Sequence, residues 1–186
     1  MRLRERPQLH HLFMSFAMLL SQRSECRRSS PYASNGAVIV SPNKRSIVGF
    51  GYNGRQRDPN HVDECSGDAM GPGNCGCLHA EINALINTEG PTTGCIMYAT
   101  TVPCAYCARA IVNAGIVGLY YHKQYRNTEG YQVLLRSKVW TYPMLSEDML
   151  PILENFYVNL QGNIGSQILK PLASNSGEKT TPTPSK

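Results

Sequence analysis

The sequence predicts an α/β protein, a mixed β-sheet with helices on both faces. Three observations predict it. A strand–turn–strand pattern comes first, with Ala37–Val40, the turn Ser41-Pro42-Asn43, and Ile47–Tyr52. From His79 to Tyr142, helical and strand-like segments then alternate. The chemistry-bearing residues fall at strand ends and helix starts, where open α/β sheets place their ligands. The length of 186 residues fits one domain with short appendages, and 41% apolar with 17% charged residues is a globular composition.

In order, residues 1–8 form a basic N-terminal lead ending near Pro7. Apolar residues at 9, 12, 13, 16, 17, 19 and 20 have helical spacing and predict a helix from Leu9 to about Cys26, stopped by Ser29-Ser30-Pro31. Three arginines precede this segment, as in a secretion signal. The apolar run of nine residues contains Ser15 and lacks a small-residue cleavage site, so an amphipathic helix against the core is expected instead. The hairpin follows. Asn53-Gly54 opens a connection to Leu78 that has no periodicity, is rich in Gly, Asp, Asn and Pro, and carries Cys65, Cys75 and Cys77.

His79–Asn87 reads as a mostly buried helix ended by Gly90-Pro91, Cys95–Ala99 as a strand, and Cys104 to Ala114 as a helix with Gly115 as its stop. Ile116–Tyr121 is a strand, Tyr131–Ser137 a short helix, and Lys138–Tyr142 the last strand. Ser146–Leu160 has a helical pattern interrupted by Pro151. The principal domain therefore runs over 9–160, and the Gly, Ser, Asn, Thr and Pro composition of 161–186 predicts a disordered tail.

The net charge of +5 sits mostly at the ends; between them twelve basic residues meet eleven acidic ones. A basic stripe for a polynucleotide is not indicated. Charge is nonetheless segregated: seven basic residues from Arg23 to Arg57 face Glu25 alone, and six acidic residues with no Lys or Arg occupy 58–89. These are either two solvated surfaces or, on the basic side, a hold for a small phosphorylated ligand. No apolar run is long enough to span a membrane. The odd count of seven cysteines, spent on metal rather than disulfides, predicts a reducing, cytoplasmic compartment.

The chemistry concentrates between His79 and Cys107. His79, Cys104 and Cys107 offer one imidazole and two thiolates, a zinc set that leaves the fourth tetrahedral position to water. Cys104 and Cys107 are three apart, in the first turn of a helix whose unpaired N–H groups favour anionic sulfur, and Pro103 suits a helix start. Glu81 is close enough to exchange protons with that water without binding the metal. The bland alternative is a closed structural site, with Glu81 an ordinary helix-surface acid.

The motifs His79-Ala80-Glu81 and Pro103-Cys104-Ala105-Tyr106-Cys107 resemble the signature of zinc-dependent nucleobase deaminases. Over roughly residues 9–142 the chain resembles the cytidine and deoxycytidylate deaminase superfamily, and within it the deoxycytidylate (dCMP) branch. The resemblance is carried by Ser24-Glu25-Cys26, Gly36-Ala37-Val38-Ile39-Val40, Gly51-Tyr52-Asn53-Gly54, His79-Ala80-Glu81-Ile82-Asn83-Ala84-Leu85 and Met97-Tyr98-Ala99-Thr100. It implies a three-layer α/β/α sandwich with a five-stranded mixed sheet, and hydrolysis of dCMP to dUMP and ammonia with Glu81 as proton shuttle. Asn53 would bond the sugar hydroxyl, Ala80 contribute a backbone contact to the pyrimidine, and Tyr125 lie near base and sugar; Asn53 could instead serve only its turn, and Tyr125 be a surface aromatic. It further implies homo-oligomers, commonly hexamers, and dCTP and dTTP as effectors, with Mg2+ accompanying such a nucleotide.

Arg55-Gln56-Arg57 stands where relatives show small residues and Pro, which makes Arg55 and Arg57 candidates for phosphate or effector contact. Some relatives carry a second, structural zinc. Cys26, Cys65, Cys75 and Cys77, with His61 as a substitute ligand, are the residues for one here, against the alternative of free buried thiols. Two other functions stay open at this level: a deaminase of another cytosine compound (dCTP, deoxycytidine or single-stranded nucleic acid), and a non-catalytic zinc module.

Overall fold

The computed structural model describes residues 7–29, 33–55, 65 and 75–163. Arg57, His61, residues 1–6 of the basic lead, and residues 164–186 of the expected tail lie outside them. The element order is α1 (Leu9–Ser21), β1 (Gly36–Val40), β2 (Ile47–Tyr52), α2 (Ala80–Ile86), β3 (Ile96–Thr101), α3 (Ala105–Asn113), β4 (Gly118–Lys123), α4 (Glu129–Arg136), β5 (Trp140–Pro143) and α5 (Ser146–Asn163). The chain divides into two units, Met1–Leu153 and Glu154–Lys186. In the second, the described part is the end of α5, where Phe156, Tyr157 and Val158 are exposed.

The five strands form one sheet in the order β2-β1-β3-β4-β5. β1 pairs antiparallel with both β2 and β3, whereas β3–β4 and β4–β5 are parallel. The expected mixed sheet is present. Each parallel pair needs a crossover, and α3 and α4 supply them. Alternation along the strands divides the core in two. Ala37 and Ile39 of β1 and Met97 and Ala99 of β3 pack with Ala80 and Ala84 of α2, Ala108 and Ile111 of α3, and Leu134 of α4. Val38, Val40, Ile96 and Tyr98 face the other way, onto Met14, Ala17 and Leu20 of α1 and Met149 at the start of α5.

Several boundaries differ from expectation for local reasons. Helix α1 ends at Ser21, not near Cys26, because Ser21 Oγ donates to the Met18 carbonyl at 2.7 Å and the next two N–H groups tighten onto carbonyls three residues back. Strand β3 runs two residues past Ala99: the Thr100 and Thr101 hydroxyls both donate to Asn35 Oδ1, at 3.0 and 2.7 Å, so these polar residues are buried with partners. Pro151 does not interrupt α5.

Two glycines set how closely the site-bearing helices approach their neighbours. A Cβ on Gly51 of β2 would lie 2.4 Å from the Ala84 nitrogen and 2.5 Å from the Ala80 oxygen of α2. One on Gly130 of α4 would meet the Pro103 carbonyl and lie 2.8 Å from the Cys104 carbonyl carbon at the head of α3. The obstacles are backbone, which cannot swing aside. Gly51→Ala is therefore expected to lower stability by about 1–3 kcal/mol, read as a lower denaturant midpoint, with α2 pushed off the sheet. An unchanged midpoint would show that this approach is not tight.

Candidate active site

His79 is the N-cap of α2 and Cys104 the N-cap of α3, both with extended backbone, so each side chain leaves its helix at the head rather than from a helical turn. Cys107 is three residues into α3. The His79 Nδ1 lies 3.5 Å from Cys104 Sγ and 3.4 Å from Cys107 Sγ. A tetrahedral zinc with usual Zn–N and Zn–S bonds places imidazole nitrogen and sulfur about 3.6 Å apart, so the donor set fits the ion. Among the described residues this group of mutually close ligand atoms holds these three and no fourth. Glu81 is outside it.

The electrostatics are those of a metal site. Its hydrogen bond with the Cys107 thiol, and then that with His79, hold Cys104 down to about 4, against burial. Cys107 is pushed far up by the same bond and by burial. Its hydrogen bond to Cys104 raises His79, with the Glu81 charge adding to the effect. Glu81 is 6% exposed, and burial raises its pKa above the ordinary carboxylate range. Glu81 lines the same cavity as His79 and Cys104, and the Cys107 thiol is among the groups that act on its carboxylate.

One cavity is lined by His79, Glu81, Cys104, Asn53 and Tyr125, and beside them by Asn35, Thr101, Arg28 and Arg126. Asn53 is 4% exposed and ties the wall together: its Nδ2 donates to the Ala33 carbonyl at 2.7 Å, and its Oδ1 accepts the Ala80 N–H at 2.8 Å. The Ala80 N–H, one of the backbone groups of the residue expected to contact a pyrimidine, is thus engaged by Asn53. Tyr125 is half-buried and packs against the core. Arg55 pairs with Glu25 at 3.5 Å and is not on the cavity wall.

Asn35, Thr101 and Arg126 were not singled out from the sequence. The available signals were the polar pair at the end of a buried strand and a cation directly after Tyr125. Arg28 belongs to the basic segment noted above, but nothing in the sequence separated it from its neighbours.

Cys26, Cys65, Cys75 and Cys77 form a second cluster, their ligand atoms all within 4.8 Å of one another. Cys26 Sγ is 3.7 Å from Cys75 Sγ and 3.9 Å from Cys65 Sγ. Sulfurs around one tetrahedral zinc stand about 3.8 Å apart, so this set also fits. All seven cysteines are free. Burial raises Cys26 to about 11 and pushes Cys77 higher still.

Residues 7–123 match the family described as the cytidine and deoxycytidylate deaminase zinc-binding region. This chain belongs to that family. Deoxycytidylate deaminase of Saccharomyces cerevisiae is 33% identical over 141 residues, covering 69% of this chain and 42% of the yeast protein. The human deoxycytidylate deaminase is 37% identical over 118 residues, 56% of this chain and 58% of that protein. The chain thus spans about half the length of these relatives. The crystal structure of dCMP deaminase from cyanophage S-TIM5 in complex with dCMP and dUMP superposes with a TM-score of 0.64 at 32% identity, covering 75% of this chain and 98% of that one. The fold is the cytidine deaminase-like three-layer sandwich. No helix among the described residues is long and apolar enough to cross a membrane.

Both ligand sets should load: metal analysis is expected to find two zinc ions per chain, falling to one in Cys75→Ser with the His79 site still filled. Zinc binds thiolates, and the thiols of Cys107, Cys26 and Cys77 are held protonated by burial and hydrogen bonding. Uptake by chelator-stripped protein should therefore release protons, and apparent affinity should fall as pH falls. Calorimetry in buffers of different ionisation enthalpy measures both; a proton-neutral uptake would contradict this account.

Proposed function

We propose that the protein hydrolyses dCMP to dUMP and ammonia. The observation that carries this proposal is Glu81: a buried carboxylate on the cavity wall it shares with His79 and Cys104. His79, Cys104 and Cys107 would hold a zinc ion, which would supply Lewis acidity and make a water acidic enough to ionise near neutral pH. Glu81 accepts one water proton and delivers it to the ring nitrogen N3 as the water oxygen bonds to C4; it then takes the remaining proton of the new C4 hydroxyl and passes it to the amine, so that the C4–N bond breaks, ammonia leaves and the C4 carbonyl forms. Its raised pKa makes the carboxylate a stronger base toward the water proton and leaves more of the acid form present to return one.

Asn53 retains an unused amide hydrogen and an oxygen lone pair beyond its two structural bonds, enough for a sugar hydroxyl. Any Ala80 contact to the base would share the N–H given to Asn53. Tyr125 offers a stacking face with a polar tip. The family and the similarity to proteins named as dCMP deaminases support this choice of substrate. A near-neutral folded region disfavours a polymeric substrate. Free thiols suit a cytoplasmic location, and homo-oligomers with dCTP and dTTP as effectors belong to the same proposal.

Glu81→Gln should retain zinc yet lose about 10²–10⁴-fold in turnover, measured as ammonia release from dCMP. Undiminished turnover would remove Glu81 from the mechanism. Wild-type activity on dCTP, deoxycytidine or single-stranded DNA in place of dCMP would overturn the substrate.

A further inference from the structure

We infer that Asn35 and Thr101 are positioning residues, whose hydrogen bond joins the two arms carrying the metal ligands and sets where Cys104 stands relative to His79 and Glu81. The inference deepens the reaction proposed above and rests on it. Backbone pairing between β1 and β3 runs from Val40 with Ile96 to Ala37 with Ala99. Past Ala99, side chains take over. The Thr100 hydroxyl accepts the Gly36 N–H at 3.1 Å, and the Thr100 and Thr101 hydroxyls both donate to Asn35 Oδ1, at 3.0 and 2.7 Å. An amide oxygen has two lone pairs, so these two bonds fill it and fix the direction it faces.

Asn35 holds both arms of the site. Its carbonyl accepts the Asn53 N–H at 3.1 Å, and Asn53 Oδ1 takes the N–H of Ala80, the residue between His79 and Glu81. On the other arm, Thr101 leads through buried Val102 and Pro103 to Cys104. That link has little slack, because the Val102 N–H is held by the Lys123 carbonyl at 2.9 Å and proline fixes its own φ. Asn35, Asn53, Thr101 and Val102 line the cavity together with His79, Glu81 and Cys104. Stability alone gives no reason for a hydroxyl at 101. Valine has nearly the same shape, and with Thr100 still donating to Asn35 no acceptor would be orphaned.

The two arms differ in what else holds them. Asn53 has three further bonds: its Nδ2 donates to the Ala33 carbonyl, its Oδ1 takes the Ala80 N–H, and its carbonyl takes the Glu25 N–H. The side that receives substrate in the proposed reaction therefore stays in place without Thr101. Loss of the hydroxyl is felt at Cys104, in the ligand set, and so in the chemical step rather than in binding.

The experiment compares Thr101→Val, Thr101→Ser and Thr100→Val with wild type, all zinc-loaded. It measures ammonia release from dCMP, calorimetric binding of dUMP, the denaturant midpoint, and zinc release to a chelator. A His79→Ala variant identifies the release phase that belongs to the three-ligand set. Thr101→Val should lose about 3–10-fold in kcat, the value of one neutral hydrogen bond, with KM, dUMP binding and midpoint unchanged. Zinc should leave the three-ligand set faster by a similar factor, with the other phase unaltered, and Thr101→Ser should restore both. Thr100→Val orphans the Gly36 N–H, so it should lower the midpoint and leave zinc release near wild type.

A lower midpoint with both zinc phases faster in Thr101→Val would overturn the inference and make this hydroxyl purely structural. A Thr101→Ser variant no better than Thr101→Val would also overturn it, as would a loss carried by KM and dUMP binding. Unchanged kcat and unchanged zinc release would overturn it outright. If wild type releases no ammonia from dCMP while the zinc pattern holds, the positioning role stands and the proposed reaction falls.

Discussion

The site depends on how closely helix α2 can lie on strand β2. With seven residues, α2 is too short to persist alone, so the sheet must hold it. Gly51 permits backbone-to-backbone approach at Ala80 and Ala84, and Gly49 does the same at Ala84. Side-chain amides then lock the helix to the strand: Asn53 Oδ1 takes the Ala80 N–H, and Asn83 Nδ2 donates to the Tyr52 carbonyl at 2.8 Å. His79 and Glu81 inherit their aim from these bonds. A bulkier β2 would leave the same motif in sequence and misplace it in space.

A matching constraint acts on the other ligands. Cys104 and Cys107 sit on α3, whose head is covered by Gly130 of α4 and whose approach from β3 passes through buried Val102. The metal set thus joins two helix starts fixed to a single sheet, one through an antiparallel hairpin strand and the other through a parallel crossover. Thiolates at a helix start are favoured by unpaired N–H groups and by the helix dipole. Burying Glu81 beside them opposes its ionisation, and a cation held by the same ligands offsets that cost. Burial raises the Glu81 carboxyl and the neighbouring His79 charge opposes that rise.

Much of this was readable before any coordinates. All five strands and the metal-binding trio follow from short-range pattern: apolar runs between turn residues, and ligand types at fixed spacing. The errors lie where distant partners decide. The strand reads as ending at Ala99, but Asn35 accepts both the Thr100 and Thr101 hydroxyls and β3 continues through them. Arg55, singled out by its place after the Gly-Tyr-Asn-Gly turn, has Glu25 as a partner that the local sequence does not announce. Arg126 reaches the cavity because β4 runs beside β3, a fact of sheet order that no local window contains. Cys104 was expected within the first helical turn and stands one step before it, as cap positions blur in sequence.

The two cysteine-containing clusters are best understood as one construction. Cys77 belongs to the four-thiol group and His79 to the three-ligand one, with only Leu78 between them. That spacer is itself pinned, since Leu78 and Gly54 exchange backbone hydrogen bonds at 2.8 and 3.1 Å. Closing the four-thiol group gathers residues separated by 49 positions, Cys26 and Cys75, and removes the entropy of that loop before any substrate arrives. Cys26, Cys75 and Cys77 then stand on the same wall as His79 and Glu81. A connection that lacks helical or strand periodicity over more than twenty residues can border a precise site only if something other than backbone pairing holds it. Thiols gathered at tetrahedral spacing can do that, and Cys65, Cys75 and Cys77 bring three points of the connection onto Cys26 at the first helix's exit.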